Sequence, residues 1–115
     1  MGRLTTHILD TAQGHPAANV GIRLFLVEGE RKLVATTTSN ADGRTDEPLV
    51  EGDAMQGGCY ELEFDMGSYF SAQGLKTGEP AFLDTVVIRF SMDAGQHYHV
   101  PLLASPWSYS TYRGS

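Results

Sequence analysis

Glycine and proline divide this sequence into short β-type segments, and that spacing constrains the fold more than any other feature. Thirteen Gly and five Pro fall among runs rich in Val, Ile, Thr, Phe and Tyr, with turn signals about every ten residues. Short strands at such spacing are typical of an antiparallel sandwich or barrel. A chain of 115 residues holds one domain of this kind, so we expect a single domain over residues 1–115.

The same pattern predicts eight strands and one short helix. Residues 40–43 and 93–96 are predicted as hairpin turns, because their side chains tolerate positive φ. Ser68 is predicted to cap a helix of barely two turns that ends at Gly74. The strands are predicted at residues 4–10, 20–27, 32–39, 44–47, 60–65, 85–92, 96–104 and 107–112.

The charge balance argues against a nucleic-acid partner. Eight Lys and Arg residues oppose fourteen Asp and Glu residues, which gives a net charge of −6, and the sequence contains no basic block. A protein that holds a phosphate backbone needs Lys and Arg clustered on one face. Hydrophobic residues at 41% and charged residues at 19% are ordinary for globular proteins, so we expect a folded, soluble domain.

Membrane and export segments are not expected either. The longest apolar runs, residues 25–27 and 102–104 among them, are far shorter than the ~20 residues of a membrane span. The first residues lack the charged region and apolar stretch of an export signal. Cys59 is the only cysteine, so no internal disulfide can form. These features predict a cytoplasmic protein, or a periplasmic one if a leader has been removed.

Histidines are predicted on outward strand faces. Alternation along a strand places His97 and His99 on one face and Tyr98 on the other. In the first segment His7 lies opposite Ile8, so His7 faces outward if Ile8 enters the core. If each segment is considered alone, its histidine can equally be an ordinary solvated surface residue without a function.

Arg44 and the C-terminal segment supply two further candidates. Arg44 follows a turn, where a guanidinium can project from the sheet and bind a planar, oxygen-rich ligand bidentately. The segment 105–115 is aromatic and strand-like almost to its end, whereas most termini are frayed. His15, in a Gly-His-Pro loop, is interpreted as a solvated turn residue.

Four segments match the pattern of a known family: residues 7–10 (HILD), 42–44 (DGR), 97–103 (HYHVPLL) and 112–115 (YRGS). Together they resemble the 5-hydroxyisourate hydrolase family, the transthyretin-related enzymes of purine catabolism. The resemblance extends from Leu4 to Ser115. Its most specific element is the terminal YRGS, which separates these hydrolases from transthyretin, because transthyretin has a similar Ser-Pro-aromatic-Ser-Tyr-Ser run but a different ending.

The resemblance implies a transthyretin-like sandwich of two four-stranded sheets with one short helix. It also implies a homotetramer around a central channel, with sites where two dimers face each other. The family reaction needs no metal and no cofactor. The residues implied at the site are His7, Arg44, His99, Tyr112 and Ser115 along the channel, and His97 near its mouth.

The family reaction hydrolyses a cyclic amide bond of 5-hydroxyisourate and gives 2-oxo-4-hydroxy-4-carboxy-5-ureidoimidazoline. We interpret His7 and His99 as the groups that activate water and move protons, and the residues do not decide which is the base. Arg44 stays protonated, so it is assigned to polarise the carbonyl and hold the substrate. Tyr112 is assigned to substrate contact, and the Ser115 hydroxyl or terminal carboxylate to orienting a histidine or the water.

Two other functions remain open at this point. His97 and His99 on one strand, with His7 on another, could form a three-histidine zinc site with an open fourth position. A transthyretin-like carrier could bind a hydrophobic ligand in the same channel without chemistry. The charged and imidazole groups at the predicted site argue against an apolar guest.

Overall fold

The computed structural model describes residues 2–115, which form a two-layer β-sandwich with one short α-helix. The predicted fold class is confirmed, although residues 2–115 form eleven strands where eight were expected. The helix α1 is Met66–Ala72, and a 3₁₀ turn covers Gly52–Ala54. The strands are β1 Arg3–Thr5, β2 Ile8–Asp10, β3 His15–Pro16, β4 Gly21–Glu28, β5 Glu30–Thr38, β6 Val50–Glu51, β7 Gly58–Asp65, β8 Thr85–Met92, β9 His97–His99, β10 Leu102–Ala104 and β11 Tyr109–Thr111.

The first layer is an antiparallel sheet with the strand order β5-β4-β7-β8. Its strands alternate as expected for a sheet with one buried face. In β4, Ile22 and Leu24 are fully buried and Arg23 between them is half-buried. In β7, Phe64 lies in the core. The predicted strand at residues 85–92 matches β8 from end to end.

The second layer consists of two sheets that continue one another, β6-β1-β9 and β11-β10-β2-β3. The pairings of β1 with β9 and of β2 with β10 are parallel, whereas the other pairings of the described strands are antiparallel. The predicted strands 4–10 and 96–104 are therefore each interrupted once. The second interruption includes Pro101, which has no N–H for a strand ladder. Across the gap the Val100 N–H donates to the Thr5 carbonyl at 3.0 Å, so the two runs stay side by side.

One strand prediction is wrong, and another is wrong in part. Residues 44–47 do not form a strand, and Arg44 alone forms an isolated bridge, with His7. The position beside β1 is taken by β6 instead. The last predicted strand begins later than expected, because the Ser105 N–H donates to the Ser108 carbonyl at 2.8 Å and closes a turn first.

The two predicted turns form, but neither closes a hairpin. The turn at residues 40–43 follows β5 and leads out of the first layer, and the turn at 93–96 joins β8 to β9 in the other layer. In the first turn the Gly43 N–H donates to the Asn40 carbonyl at 2.9 Å, and Gly43 has a φ of +74°. A Cβ at Gly43 would lie 2.5 Å from the Ile8 carbonyl oxygen, so this position requires glycine.

The helix α1 begins earlier than predicted. Its N-cap residue is Asp65 rather than Ser68, and the first helical residue is Met66. The Asp65 side chain makes no capping bond in the described structure, because its carboxylate oxygens accept from the Arg23 guanidinium at 2.7 and 2.9 Å. The helix end is confirmed, since Gly74 has the left-handed φ of +76°. No helix in the described part of the chain is long and apolar enough to cross a membrane.

A buried polar contact joins α1 to the second layer. Asp10 is fully buried at the end of β2, and the Tyr69 hydroxyl donates to its Oδ2 at 2.8 Å. The Gln13 side-chain amide donates to the same oxygen at 2.8 Å, and the Gln13 N–H donates to Oδ1 at 3.0 Å. Burial opposes the charge of Asp10, yet these hydrogen bonds hold its pKa below the ordinary value. The carboxylate therefore stays ionised inside the domain.

Replacing Tyr69 by Phe should destabilise the domain, because a buried carboxylate loses one of its donors. We expect the Tyr69→Phe variant to lose about 1–3 kcal/mol of unfolding free energy, measured by urea denaturation at neutral pH. Tyr109→Phe is the matched control, since Tyr109 is exposed and its replacement should change stability little. Equal stability of the two variants would show that the Tyr69 contact contributes nothing to the fold.

Candidate active site

His7 and Arg44 meet where the turn after β5 reaches the first chain run. They form an isolated antiparallel bridge, and the Ile8 N–H donates to the Gly43 carbonyl at 2.8 Å. Ile8 is fully buried, so alternation turns the half-buried His7 outward, as predicted. Arg44 is exposed. Backbone pairing therefore holds an imidazole next to a guanidinium on the outer face of the second layer.

The parallel pairing of β1 with β9 brings His99 to the same face. The register sets Thr5 opposite His99, and Thr5 Oγ1 lies 2.9 Å from His99 Nδ1. Thr5 and His7 are two residues apart, so both project from one side of their run. His99 is half-buried, while the neighbouring Tyr98 enters the core. We refer to His7, Arg44 and His99 as the His–Arg cluster.

The C-terminal tail is bound to the strand that carries His99. The Gly114 N–H donates to the His99 carbonyl at 2.6 Å, and the His99 N–H donates to the Gly114 carbonyl at 3.2 Å. The Arg113 guanidinium lies 4.5 Å from the centroid of the Tyr98 ring and donates to the His97 carbonyl at 3.2 Å. These contacts fix the path of the tail beside the His–Arg cluster.

Gly114 is where the tail comes closest to the cluster. A Cβ at Gly114 would lie 3.1 Å from His99 Cβ and 3.3 Å from His99 Cδ2. These separations are shorter than ordinary contacts between carbon atoms, so a larger residue would displace either the tail or the imidazole. The glycine of the YRGS motif therefore has a packing role against His99.

Both histidines of the cluster favour the neutral form. Burial lowers the pKa of His7 and the Arg44 charge lowers it further, while the Asp42 carbonyl and carboxylate act in the opposite direction. Burial likewise lowers the pKa of His99, followed by the charges of Arg44 and His7. A neutral imidazole has one unprotonated nitrogen, which can accept a proton from water.

An open, polar cavity of about 310 Å³ lies beside the cluster. Arg44 and Thr5 line it together with Arg3, and Asp46 and Glu47 complete its charged wall. A lining of this kind suits a small, polar ligand with several hydrogen-bonding groups better than an apolar one.

The remaining predicted site residues lie outside the His–Arg cluster. His97 is exposed on β9, and Ser115 is exposed after Gly114. Tyr112 is 61% exposed and lines a separate groove of about 260 Å³ with Ile88 and other residues. His15 is exposed, as predicted, although it lies in the short strand β3 rather than in a turn. The single chain thus brings three of the predicted residues together.

The alternative zinc site is not assembled in the described part of the chain. Across residues 2–115, no group of three or more His, Cys, Asp or Glu side chains is arranged to hold a metal ion. The backbone bridge between His7 and Arg44 sets a cation in the cluster instead. A nearby guanidinium disfavours a second cation.

Comparison with known proteins identifies the family. The model of the HIUase/Transthyretin family matches residues 4–114. A curated relative from Ralstonia nicotianae, named 5-hydroxyisourate hydrolase, is 57% identical over 117 residues that cover 100% of both chains. This chain belongs to the HIUase/Transthyretin family.

Solved structures of similar proteins agree with membership of the HIUase/Transthyretin family. A crystal structure of (S)-allantoin synthase matches with a TM-score of 0.94 and 44% identity, covering 99% of this chain and 44% of that one. This chain therefore spans less than half of that protein. Sea bream transthyretin, solved in complex with thyroxine, matches with a TM-score of 0.88 and 28% identity, covering 97% of this chain and 94% of the other. The transthyretin-like sandwich predicted from the sequence is confirmed.

Two residues that contact His99 were not among the predicted site residues. The sequence spacing could have identified Thr5 as a site residue, because Thr5 lies two positions before His7 and shares its strand face. Gly114 lies within the YRGS motif, but no local pattern shows that it packs against a strand distant in sequence. Both contacts depend on register between distant segments.

Removing the Arg44 charge should raise the pKa of both clustered histidines. The guanidinium opposes protonation of His7 and His99, so Arg44→Gln makes each imidazolium easier to form. The measurement is a ¹H–¹⁵N NMR titration of the histidine side chains. Arg31→Gln, on the other layer, is the control and should leave both titrations unchanged. A pKa that stays the same in Arg44→Gln would show that the charge does not act on the rings.

Proposed function

We propose that this chain hydrolyses 5-hydroxyisourate, opening its six-membered ring at an amide C–N bond to give 2-oxo-4-hydroxy-4-carboxy-5-ureidoimidazoline. The observation that carries the proposal is the His–Arg cluster, in which two imidazoles with lowered pKa values lie beside a permanent cation. The Ralstonia nicotianae relative bears the name of this activity and aligns over the whole chain.

Water attack on an amide requires a group that accepts a proton from the water. His7 and His99 are the candidates, because both are half-buried and favour the neutral form at pH 7. One imidazole takes the proton as the water oxygen bonds to the carbonyl carbon. A proton is then delivered to the ring nitrogen as the C–N bond breaks, and the two neighbouring histidines can divide these tasks.

Arg44 stabilises the charge that develops on the carbonyl oxygen. A guanidinium stays protonated at all relevant pH values and can donate two parallel hydrogen bonds to a flat, oxygen-rich heterocycle. The bridge to His7 and the Gly43 turn hold the Arg44 backbone beside the first chain run, within reach of the clustered imidazoles.

The tail residues complete the proposed site. Ser115 follows Gly114, and its hydroxyl or carboxylate can orient a histidine or the attacking water. In the proposed tetramer the exposed Tyr112 ring is assigned to substrate contact and His97 to the entrance of the channel. No metal or cofactor takes part in the proposed reaction.

The proposed active form is a homotetramer with sites where two dimers face each other. Outer strands β8 and β11 each have one neighbour in the described sheets, so each has an edge that can pair with another subunit. Trp107 and Tyr112 are more than half exposed, as residues at a subunit interface often are in an isolated chain. We place the enzyme in the cytoplasm, where the single free thiol of Cys59 stays reduced.

A hormone-type carrier is the alternative within the same fold, since the sea bream transthyretin structure is a complex with thyroxine. The cavity that Arg44 lines is polar, so it does not suit an apolar ligand. The two imidazoles of the cluster are polar groups as well. A carrier would bind its ligand without consuming it, so an activity assay separates the two functions.

The decisive experiment follows 5-hydroxyisourate generated from urate by urate oxidase. Its near-ultraviolet absorbance should decay faster when the purified protein is added than it does spontaneously, and the rate should rise in proportion to protein. A strong chelator should leave the rate unchanged. A loss of activity that zinc restores would favour the three-histidine zinc site, and an unchanged spontaneous rate would favour the carrier.

Removing one side chain of the His–Arg cluster should lower turnover strongly. We expect His7→Asn, Arg44→Gln and His99→Asn each to reduce kcat by at least ~10²-fold, the usual loss for one acid–base or oxyanion group. His15→Asn is the control and should retain full activity, because His15 is exposed on β3. If His97→Asn were as damaging as His99→Asn, the assignment within β9 would be wrong.

Replacing Gly114 by Ala should impair catalysis without weakening the fold. The added Cβ would displace the tail or His99, and a small misplacement of a catalytic group costs about 10-fold or more in rate. Thermal unfolding should change little, because the tail is mostly exposed. Ser110→Ala, at an exposed position of β11, serves as the control. Full activity of Gly114→Ala would remove the argument that tail packing positions His99.

A further inference from the structure

Thr5 is a polar side chain in contact with the His–Arg cluster that the proposed reaction has not yet used. Its Oγ1 lies 2.9 Å from His99 Nδ1, and both side chains are half-buried. The two residues are direct partners in the β1–β9 register, and the Val100 N–H donates to the Thr5 carbonyl at 3.0 Å. Backbone pairing thus holds the hydroxyl and the ring in contact.

The surroundings of the His99 ring leave one nitrogen for chemistry. Nδ1 is occupied by Thr5, and the Gly114 backbone lies against the Cδ2 edge, where a Cβ would come within 3.3 Å. Nε2 is then the nitrogen that remains for water or substrate. Thr5 and Arg44 also line the same cavity of about 310 Å³, so the residue that contacts Nδ1 lies near the guanidinium of the cluster.

The contact allows two proton arrangements with opposite consequences. If Nδ1–H donates to the Thr5 oxygen, Nε2 has a lone pair and can act as a base. If the Thr5 hydroxyl donates to Nδ1 instead, Nε2 carries the proton and cannot accept one. Because Nδ1 is in contact with Thr5, His99 can accept a proton from water only in the first arrangement, in which Nε2 has the lone pair.

We propose that Thr5 is a positioning residue that accepts the Nδ1–H of His99 and holds this histidine in the tautomer with an unprotonated Nε2. The inference rests on the proposed function, because it explains how His99 can serve as the base of that reaction. In this role Thr5 acts on the reaction through the His99 ring.

The test compares Thr5→Val, which removes the hydroxyl and keeps the shape, with Thr5→Ser, which restores it. We expect Thr5→Val to lower kcat about 10-fold with little change in KM, the size of loss typical for a residue that orients a reacting histidine. Thr5→Ser should regain most of the rate. Thr38→Val, at an exposed position of β5, is the matched control and should have no effect.

A spectroscopic measurement tests the tautomer independently of activity. Side-chain ¹⁵N shifts of the intact protein at pH 8, assigned to His99 by comparison with His99→Asn, should show a protonated Nδ1 and an unprotonated Nε2. Thr5→Val should shift that population toward protonated Nε2, and Thr5→Ser should not.

Two results would overturn the proposal: a protonated Nε2 in the unaltered protein, or a Thr5→Val variant with unchanged shifts and unchanged kcat. If the unaltered protein failed to accelerate 5-hydroxyisourate decay, the proposed function would fail instead. The NMR spectra would still decide the tautomer in that case.

Discussion

The parallel pairing between the two interrupted chain runs of the second layer brings His99 to the face that carries Thr5 and His7. It sets Thr5 opposite His99, and the tail then adds Gly114 to the other side of the same residue. A slip of one residue in this register would turn His99 into the core and Tyr98 outward. The buried Leu4 and Tyr98 on the opposite face oppose such a slip, because they would lose their burial.

Strand alternation was sufficient to predict the outward direction of His7 and His99, since that direction depends only on which neighbours are apolar. Pairing partners could not be predicted in the same way. The turns at residues 40–43 and 93–96 have the residues of a hairpin, but local residues do not decide which strands meet after the chain reverses. The Thr5–His99 contact joins residues 94 positions apart in sequence, so it follows from the packed fold and not from any local pattern. The roles of the site residues in the reaction came from the family resemblance, because strand alternation predicts only the direction of a side chain.

The Arg44 cation has two effects on the same face of the molecule. It can stabilise negative charge on a substrate oxygen, and it also keeps the nearby imidazoles unprotonated. An acid–base pair made of two histidines alone would compete for one proton near neutral pH, so a permanent positive charge beside them extends the range in which both remain neutral. Burial of the rings also lowers the pKa of both histidines, so the fold itself favours their neutral state.

The turn at Gly43 sets the position of Arg44 without contributing a side chain of its own. Its α-carbon faces the Ile8 carbonyl so closely that any other amino acid would push the following residue away from the first strand run. A substitution at Gly43 would therefore displace Arg44, although the side chains of the His–Arg cluster would all still be present. The geometry of Gly43 thus marks it as a structural support for Arg44 and not as a reacting group.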